Sequence, residues 1–238
     1  MKTLLFDIET RPLLSYNWGV YEQNAIKVVE DWGILCFSWK WLGEKKTFVE
    51  TIENQSEEKL IKKLHKLFDE ADVIIAHNGN KFDLKKSNAK FLQYRLTPPS
   101  PYKRIDTLLV ARQNFSLTSN KLDDLGELLN VGRKVKHPGF EMWEGCMRGE
   151  AKWWSLMKKY NKQDVVLLEK VYLALLPWVQ NHPNYQWFMD EKGKHCCPNC
   201  GSEAYQKRNL EKRLNYLIRR LHCTDCGKWF YGEKVKKV

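Results

Sequence analysis

Apolar and polar positions divide this chain into strand-like runs, then alternating helices and strands, then a cysteine-rich tail. Leu4-Leu5-Phe6-Asp7-Ile8-Glu9-Thr10 predicts an apolar opening strand that Arg11-Pro12 ends. Residues 13–30 hold no steady period and predict an excursion or ragged hairpin beside it. For Tyr16, Trp18 and Tyr21 in this stretch, core or rim packing is the expectation and base stacking the alternative. Gly33 to Trp41 predicts a second strand, with Cys36 as a small core residue; Gly43-Glu44 a turn; Lys46 to Ile52 a third, antiparallel strand. Ser56 can cap a helix whose apolar residues Leu60, Leu64, Leu67 and Phe68 recur at helical spacing through Asp69.

Val73-Ile74-Ile75-Ala76 reads as a buried strand. It runs into His77-Asn78-Gly79-Asn80-Lys81-Phe82-Asp83, where Gly79 allows a tight turn. A helix over Leu84–Tyr94 and a Pro-rich loop over 95–102 follow. Lys103 to Val110 predicts a strand or strand-to-helix junction. A helix over Ser119–Leu129 carries Leu122, Leu125, Leu128 and Leu129 as its stripe. Residues 131–149 predict a basic, Gly-containing connection. A last helix spans about Glu150 to Leu176, with room for a break near Lys159, and Pro177 marks its end. Strands first and α/β alternation after, with acidic residues at strand ends, predict a mixed central sheet flanked by helices.

Composition narrows the partners. The 238 residues are 43% hydrophobic, enough for a substantial core, and carry a net charge of +11. That excess favours a polyanion, nucleic acid before an anionic membrane. The longest apolar stretch near the end, Val165–Val179, is too short and too charged to span a bilayer. With Met1-Lys2 leading straight into a strand, no signal peptide is expected, and a cytoplasmic protein follows. Residues 191–238 hold 12 Lys/Arg against 5 Asp/Glu, so most of the excess lies in the last fifth. Seven cysteines, five of them between Cys196 and Cys226, argue for metal rather than disulfides.

Asp7 and Glu9 share one face of their strand because the side-chain period is two. In an apolar strand they repel each other and lose hydration, and a metal ion removes both problems. A strand whose polar face happens to carry two acids is the alternative. Three further features bear on the choice: Asn78…Phe82-Asp83 just past a buried strand, Tyr160-Asn-Lys-Gln-Asp164 with Tyr160 and Asp164 on one helical face, and the basic background. Four carboxylates from three places can hold two divalent cations, and hard oxygen ligands suit Mg²⁺ or Mn²⁺.

These motifs resemble, in order and spacing and over roughly residues 1–180, those of the Asp-Glu-Asp-Asp 3′-to-5′ exonucleases with a tyrosine variant. They are similar to the proofreading domain of family B DNA polymerases and to stand-alone phage exonucleases. Asp7 and Glu9 match the first motif, Asn78, Phe82 and Asp83 the second, Tyr160 and Asp164 the third. Lys159 stands where the histidine variant would place its histidine. The resemblance implies a ribonuclease-H-like sheet, two Mg²⁺ or Mn²⁺ on Asp7, Glu9, Asp83 and Asp164, and a 3′-terminal nucleotide at the metals. It implies that Tyr160 orients or helps deprotonate the attacking water, with the ordinary phenol pKa of about 10 favouring orientation, and that Asn78 and Phe82 position the nucleotide or brace their motif. For Phe82, core packing stands equal to stacking. Asp106 is expected to cap a helix or form a salt bridge, His77 to be structural, and Asp123-Asp124 to be a solvated helix start. A polymerase would continue into a long catalytic region, so the expectation is a free-standing nuclease or a subunit.

Cys197-Pro-Asn-Cys200-Gly201 and Cys223-Thr-Asp-Cys226-Gly227 are matching CxxCG units, with 22 residues between Cys200 and Cys223. Four thiolates fit one tetrahedral Zn²⁺, and metal ligation contributes much of such a module's folding energy. A hairpin of 204–207 and 214–221 is expected between the units. His195, Cys196 and His222 are spare ligands. Lys207, Arg208, Lys212, Arg213, Arg219 and Arg220 can meet phosphates, and Tyr205, Tyr216, Trp229 and Phe230 can stack on bases, with protein docking as the alternative.

The expected organisation is an exonuclease domain over 1–180, a polar linker over 181–194 with Gly193, and a zinc ribbon over 195–238. The expected reaction is hydrolysis of single-stranded 3′ ends to nucleoside 5′-monophosphates, DNA before RNA, with a replication or repair protein as a further partner and no membrane. An RNA exonuclease or structure-specific nuclease is one alternative. A non-catalytic zinc-ribbon nucleic-acid-binding or replication-scaffold protein is the other.

Overall fold

The computed structural model describes residues 1–21, 24–188 and 195–237. Strand β1 (Thr3–Arg11) leads into a hairpin of β2 (Leu14–Tyr16) and β3 (Lys27–Glu30), then β4 (Gly33–Trp41) and β5 (Phe48–Thr51). Helix α1 (Glu57–Glu70) precedes β6 (Val73–Ala76); helix α2 (Asp83–Gln93) precedes β7 (Lys103–Asp106). Helices α3 (Thr107–Asn114), α4 (Leu122–Leu128), α5 (Glu141–Met147) and α6 (Ala151–Leu175) complete this part. The sheet order is β5-β4-β1-β6-β7. β1 pairs antiparallel with β4 and parallel with β6, so the expected mixed sheet flanked by helices is present, with β1 at its centre.

The two faces of β1 explain where the acids go. Leu4, Phe6 and Ile8 pack with Leu60, Leu64, Phe68 and Phe91 of α1 and α2. Phe6 meets Phe68 edge to face at 4.9 Å. Burying a side chain of this size stabilises the fold by about 1.5–3 kcal/mol. Leu5 faces the opposite way and packs with Val165, Leu168 and Val171 of α6. By the same two-residue period Asp7 and Glu9 also project toward α6.

Helix α6 runs unbroken through Lys159. Its buried residues Trp153, Met157, Tyr160, Asp164, Leu168, Val171 and Leu175 recur at three and four and form one continuous stripe. Glu169, which interrupts the apolar run after Val165, pairs with Lys40 on β4 at 2.6 Å, largely out of solvent. Removing one partner of such a pair costs about 3–5 kcal/mol, because it strands the other charge.

Three expectations are corrected. The 131–149 connection contains α5, which buries Met142 and Cys146 against Trp153, Trp154 and Met157. Its seven residues and mid-helix Gly145 hide it from a periodicity reading. Tyr16, Trp18 and Tyr21 do not pack in the core: the hairpin leaves them exposed, Tyr21 almost fully. Asp123 is not simply solvated. Its carboxylate pairs with Arg133 and accepts from the Lys134 backbone N–H at 2.7 Å.

The tail forms a three-stranded antiparallel sheet, β8 (Tyr205–Lys212), β9 (Tyr216–Cys223) and β10 (Trp229–Lys237), ordered β10-β9-β8. The expected hairpin is β8–β9, and β10 adds a strand to it. Gly201 and Gly227 have φ of +75° and +80°, the left-handed angle each CxxCG knuckle requires. The sheet is seated on the end of α6: Asn199 donates to the Leu176 and Val179 carbonyls, and Lys228 donates to Val179. In the stretch expected to be a linker, Tyr185–Phe188 form a 3₁₀ turn, and Tyr185 N–H donates to the Pro198 carbonyl. Residues 189–194, with Gly193, lie outside the described residues.

Gly145 is the point of closest approach between α5 and α6. A Cβ there would stand 1.8 Å from Cδ1 of the buried Trp153 indole. Gly145→Ala is expected to destabilise the protein by about 1–3 kcal/mol through overpacking, read as a Tm several degrees below wild type. An unchanged Tm would show that α5 does not pack as described.

Candidate active site and metal centres

Asp7, Glu9 and Asp164 converge where the middle of α6 crosses β1. One carboxylate oxygen of each lies within 4.8 Å of the others. A register irregularity in the β1–β4 ladder falls between Glu9 and Thr10, immediately beside the cluster. Asp83, the fourth expected ligand, is buried at the start of α2 and is not part of this triad. Its Oδ1 accepts from the Ile8 backbone N–H at 3.2 Å, so it braces the strand between the two acids.

The cluster carries strong mutual repulsion. Burial, then the charges of Asp83, Glu9 and Asp164, push the Asp7 carboxyl well above its usual range. Burial and Asp164 push Glu9 up to about 8. Burial pushes Asp83 up to about 7 against the pull of the Ile8 N–H. Burial raises Asp164 as well, and Lys134 draws it back. Asp164 Oδ1 is buried and has no hydrogen-bond partner within the described chain. An orphaned anionic oxygen beside two further carboxylates is a donor set for a hard divalent cation, and Mg²⁺ or Mn²⁺ fits it.

Tyr160 is buried one turn before Asp164, its ring against His137 and Trp143. Burial, Asp164 and Glu9 raise its phenol above the ordinary tyrosine value, so it keeps its proton and can orient a water but not deprotonate one. Trp143 on α5 also draws the Glu9 carboxyl back down. Asn78 has φ of +63°, and its N–H and that of Asn80 donate to Asp106 at 2.9 and 3.1 Å. Asp106 caps α3 through Leu108 N–H, as expected, and thereby also clamps the Asn78 turn. His77 is structural: Nδ1 bonds Thr107 Oγ1 at 2.9 Å, and burial lowers its pKa to about 4. Phe82 is more than one-third exposed, against the core alternative.

Two residues of the site escape a motif reading. Asn161 donates to Asp7 Oδ2 at 2.7 Å, and its place between Tyr160 and Asp164 was the available signal. Lys134 donates to Asp164 Oδ2 at 2.7 Å and to the Tyr160 hydroxyl at 3.2 Å. Burial works against its charge, but Asp164, Tyr160 and Asp7 more than offset this and hold its pKa above the usual value. Nothing around Lys134 in the sequence marks it; the bond from its N–H to Asp123 delivers it. Lys134 also lines an adjoining cleft of about 640 Å³ together with Asn78, Arg112, Asn120 and Lys121. With Asp123 also in its lining, the groove keeps a positive excess from its three cations, a charge that suits a phosphodiester backbone.

In the tail, the four sulfurs of Cys197, Cys200, Cys223 and Cys226 lie within 4.8 Å of one another. Cys197–Cys226 and Cys200–Cys223 are separated by 3.6 and 3.7 Å. Tetrahedral zinc with bonds of about 2.3 Å needs edges of about 3.8 Å, so the four cysteines fit Zn²⁺. Cys196 is outside the cluster, His195 bonds Glu233, and His222 stacks on Trp229. The expected phosphate-binding residues fall on both sides of this sheet. Lys207 and Arg219 line one face; Arg208 and Arg220 flank Trp229 on the other, where Arg213 joins Tyr231. No helix among the described residues is long and apolar enough to cross a membrane.

Fold and triad together define a nuclease-type fold with a carboxylate cluster suited to divalent cations. Residues 4–176 match the RNase_H superfamily, to which the chain belongs. A comparison with curated proteins finds no match. Among solved structures, the chain is similar in fold to the family B DNA polymerase from the hyperthermophilic archaeon Pyrobaculum calidifontis. The two are 17% identical with a TM-score of 0.50, over 90% of this chain and 31% of the polymerase chain.

The raised carboxyls set a pH signature. A group at 4.5 unfolded and about 8 folded binds more protons when folded, so stability falls as pH rises between those values. Without added divalent cation, Tm is expected to drop from pH 5 to pH 8. Mg²⁺ or Mn²⁺ should raise Tm more at pH 8 than at pH 5. A cation effect independent of pH, or absent, would contradict the site.

Proposed function

We propose that the protein is a two-metal 3′-to-5′ exonuclease of the tyrosine-variant Asp-Glu-Asp-Asp type, related in kind to phage and polymerase-associated exonucleases. It hydrolyses the terminal phosphodiester of single-stranded DNA and releases nucleoside 5′-monophosphates. The observation that carries this reading is the convergence of Asp7, Glu9 and Asp164, with an orphaned oxygen, next to Lys134, which holds Asp164 and also lines the cleft with Arg112 and Lys121. Residues 1–180 act as the nuclease domain, 181–194 as the linker and 195–238 as the zinc ribbon.

Asp7, Glu9 and Asp164 hold the cations, and Asp83 completes the set. Bound there, Mg²⁺ or Mn²⁺ supplies an acidic water and neutralises charge on the leaving oxygen. Asn161 fixes the Asp7 carboxylate. Tyr160 orients the water through its protonated hydroxyl. Lys134 holds Asp164 and Tyr160 in register and offers a positive charge where the phosphate gains negative charge. Asn78 and Phe82 face the terminal nucleotide, and Arg112 and Lys121 take the backbone of the strand. Lys207, Arg208, Arg213, Arg219 and Arg220 give the ribbon its affinity for nucleic acid. The similarity in fold to a DNA polymerase and the motif order support DNA over RNA.

The test uses 5′-labelled single-stranded DNA and RNA with Mg²⁺ or Mn²⁺. Stepwise loss from the 3′ end of DNA is expected, abolished by Asp7→Ala. Asn161→Ala should lower the rate about 10- to 100-fold, the usual cost of losing a partner that orients a metal ligand. Lys134→Met should lower it about 10²- to 10³-fold. Binding without cleavage of either strand, or full activity in Asp7→Ala, would overturn the assignment. Faster digestion of RNA would overturn the choice of sugar.

A further inference from the structure

We propose that the face of the ribbon sheet centred on Trp229 is a nucleobase-stacking platform that holds unpaired strand away from the 3′ end; this rests on the nucleic-acid reading above. The cross-strand register puts Gln206, His222 and Trp229 in one row, with Arg220 and Tyr231 paired beside it. The Trp229 indole is half exposed, 51%. Its inner side lies on the His222 ring, with centroids 4.6 Å apart and planes 29° from parallel. That support fixes the indole and leaves its outer side to solvent. The Arg208 and Arg220 guanidinium carbons each stand 5.9 Å from the ring centre. Neither arginine forms a salt bridge with an acidic residue among the described residues, whereas Arg213 is taken up by Glu211.

A half-exposed indole with two guanidiniums beside it that form no salt bridge among the described residues matches a base with its two flanking phosphates. The indole stacks on any base, and the arginines meet the backbone charge. An acidic protein would satisfy the arginines but make no use of the supported indole. The opposite face differs. There Tyr205 and Phe230 pack on each other and on buried Leu221, and the cavity of about 240 Å³ beside them includes Glu233.

The platform and the carboxylates are well separated. The ribbon is seated on Leu176 and Val179, and Asp164 lies twelve residues before Leu176, about 18 Å along the helix axis. A strand has to extend past that separation to engage both, so a trinucleotide at the triad draws little on Trp229 and a longer strand draws more. The platform therefore governs grip on long substrates and leaves the chemistry of short ones unchanged.

The test measures anisotropy of fluorescein-labelled oligothymidylate of about twenty nucleotides, longer than one typical stacking module covers, on the zinc-loaded full chain without Mg²⁺ or Mn²⁺. Trp229→Leu is expected to weaken Kd about tenfold or more, and Trp229→Phe less. Arg208→Gln and Arg220→Gln should each reduce the slope of log affinity against log salt by about 0.7. Lys62→Gln, on the exposed side of α1 where it pairs with Glu58, should leave that binding within about twofold. Trinucleotide hydrolysis by Trp229→Leu should match wild type. Absence of hydrolysis in every protein would instead count against the nuclease reading, separately from this one. Unchanged binding by Trp229→Leu overturns the platform. If that variant loses zinc, unchanged salt slopes in the two arginine variants overturn it. Equal displacement by polyglutamate would show an acidic-protein surface and overturn it too.

Discussion

Asp7, Glu9 and Asp164 repel one another in a place with little water, and the surrounding structure is arranged to keep them there. The repulsion is a direct product of topology. β1 is the central strand, so its side chains are covered on both faces, and its two-residue period commits either the apolar set or the acidic set to α6. Leu5 and the acids share the α6 side, while Leu4, Phe6 and Ile8 share the other. A slip of one residue in β1 would bury the acids among Phe68 and Phe91, where nothing can answer their charge. The register that satisfies the core is therefore also the register that builds the cluster.

Holding the acids takes contributions from far along the chain. Asn161 binds Asp7, the Ile8 N–H binds Asp83, and Lys134 binds Asp164, while Trp143 draws Glu9 back down. Lys134 offsets only part of the negative charge. What remains is relieved either by protons, as the raised carboxyls show, or by divalent cations. The cleft lined by Arg112, Lys121 and Lys134 opens beside this residual charge. In the proposed reaction a polyanion drawn into the cleft would bring its phosphate toward the same acids, and cations held by Asp7, Glu9 and Asp164 would offset both charges. At the other end of α6 the same logic recurs in a softer chemistry, with four thiols gathered closely enough to suit Zn²⁺.

Much of this was legible because strong local signals carried it. The apolar runs of β1, β4 and β6 and the helical stripe of α1 marked their elements, and Ser56 caps α1 as its sequence suggests, accepting from Lys59 N–H. The acids and cysteines were visible because their spacing is fixed by strand, helix and knuckle geometry. Lys134 was not, since it reaches the site from a loop and is placed by Asp123, a contact between residues eleven apart with no period to reveal it. Helix α5 was hidden by its length and by Gly145, whose missing side chain makes sense only against Trp153. Trp18 and Tyr21 resemble core residues in composition, and only the hairpin's placement outside the sheet exposes them.

The central claim is that the three converging carboxylates bind divalent cations in the absence of substrate. Calorimetric titration of Mn²⁺ into the zinc-loaded protein at pH 8 tests it most directly, alongside Asp7→Ala and Asp164→Asn. The account predicts saturable binding to wild type that both substitutions abolish, with the zinc content unchanged. Equal Mn²⁺ binding by all three proteins, or none by wild type, would contradict it.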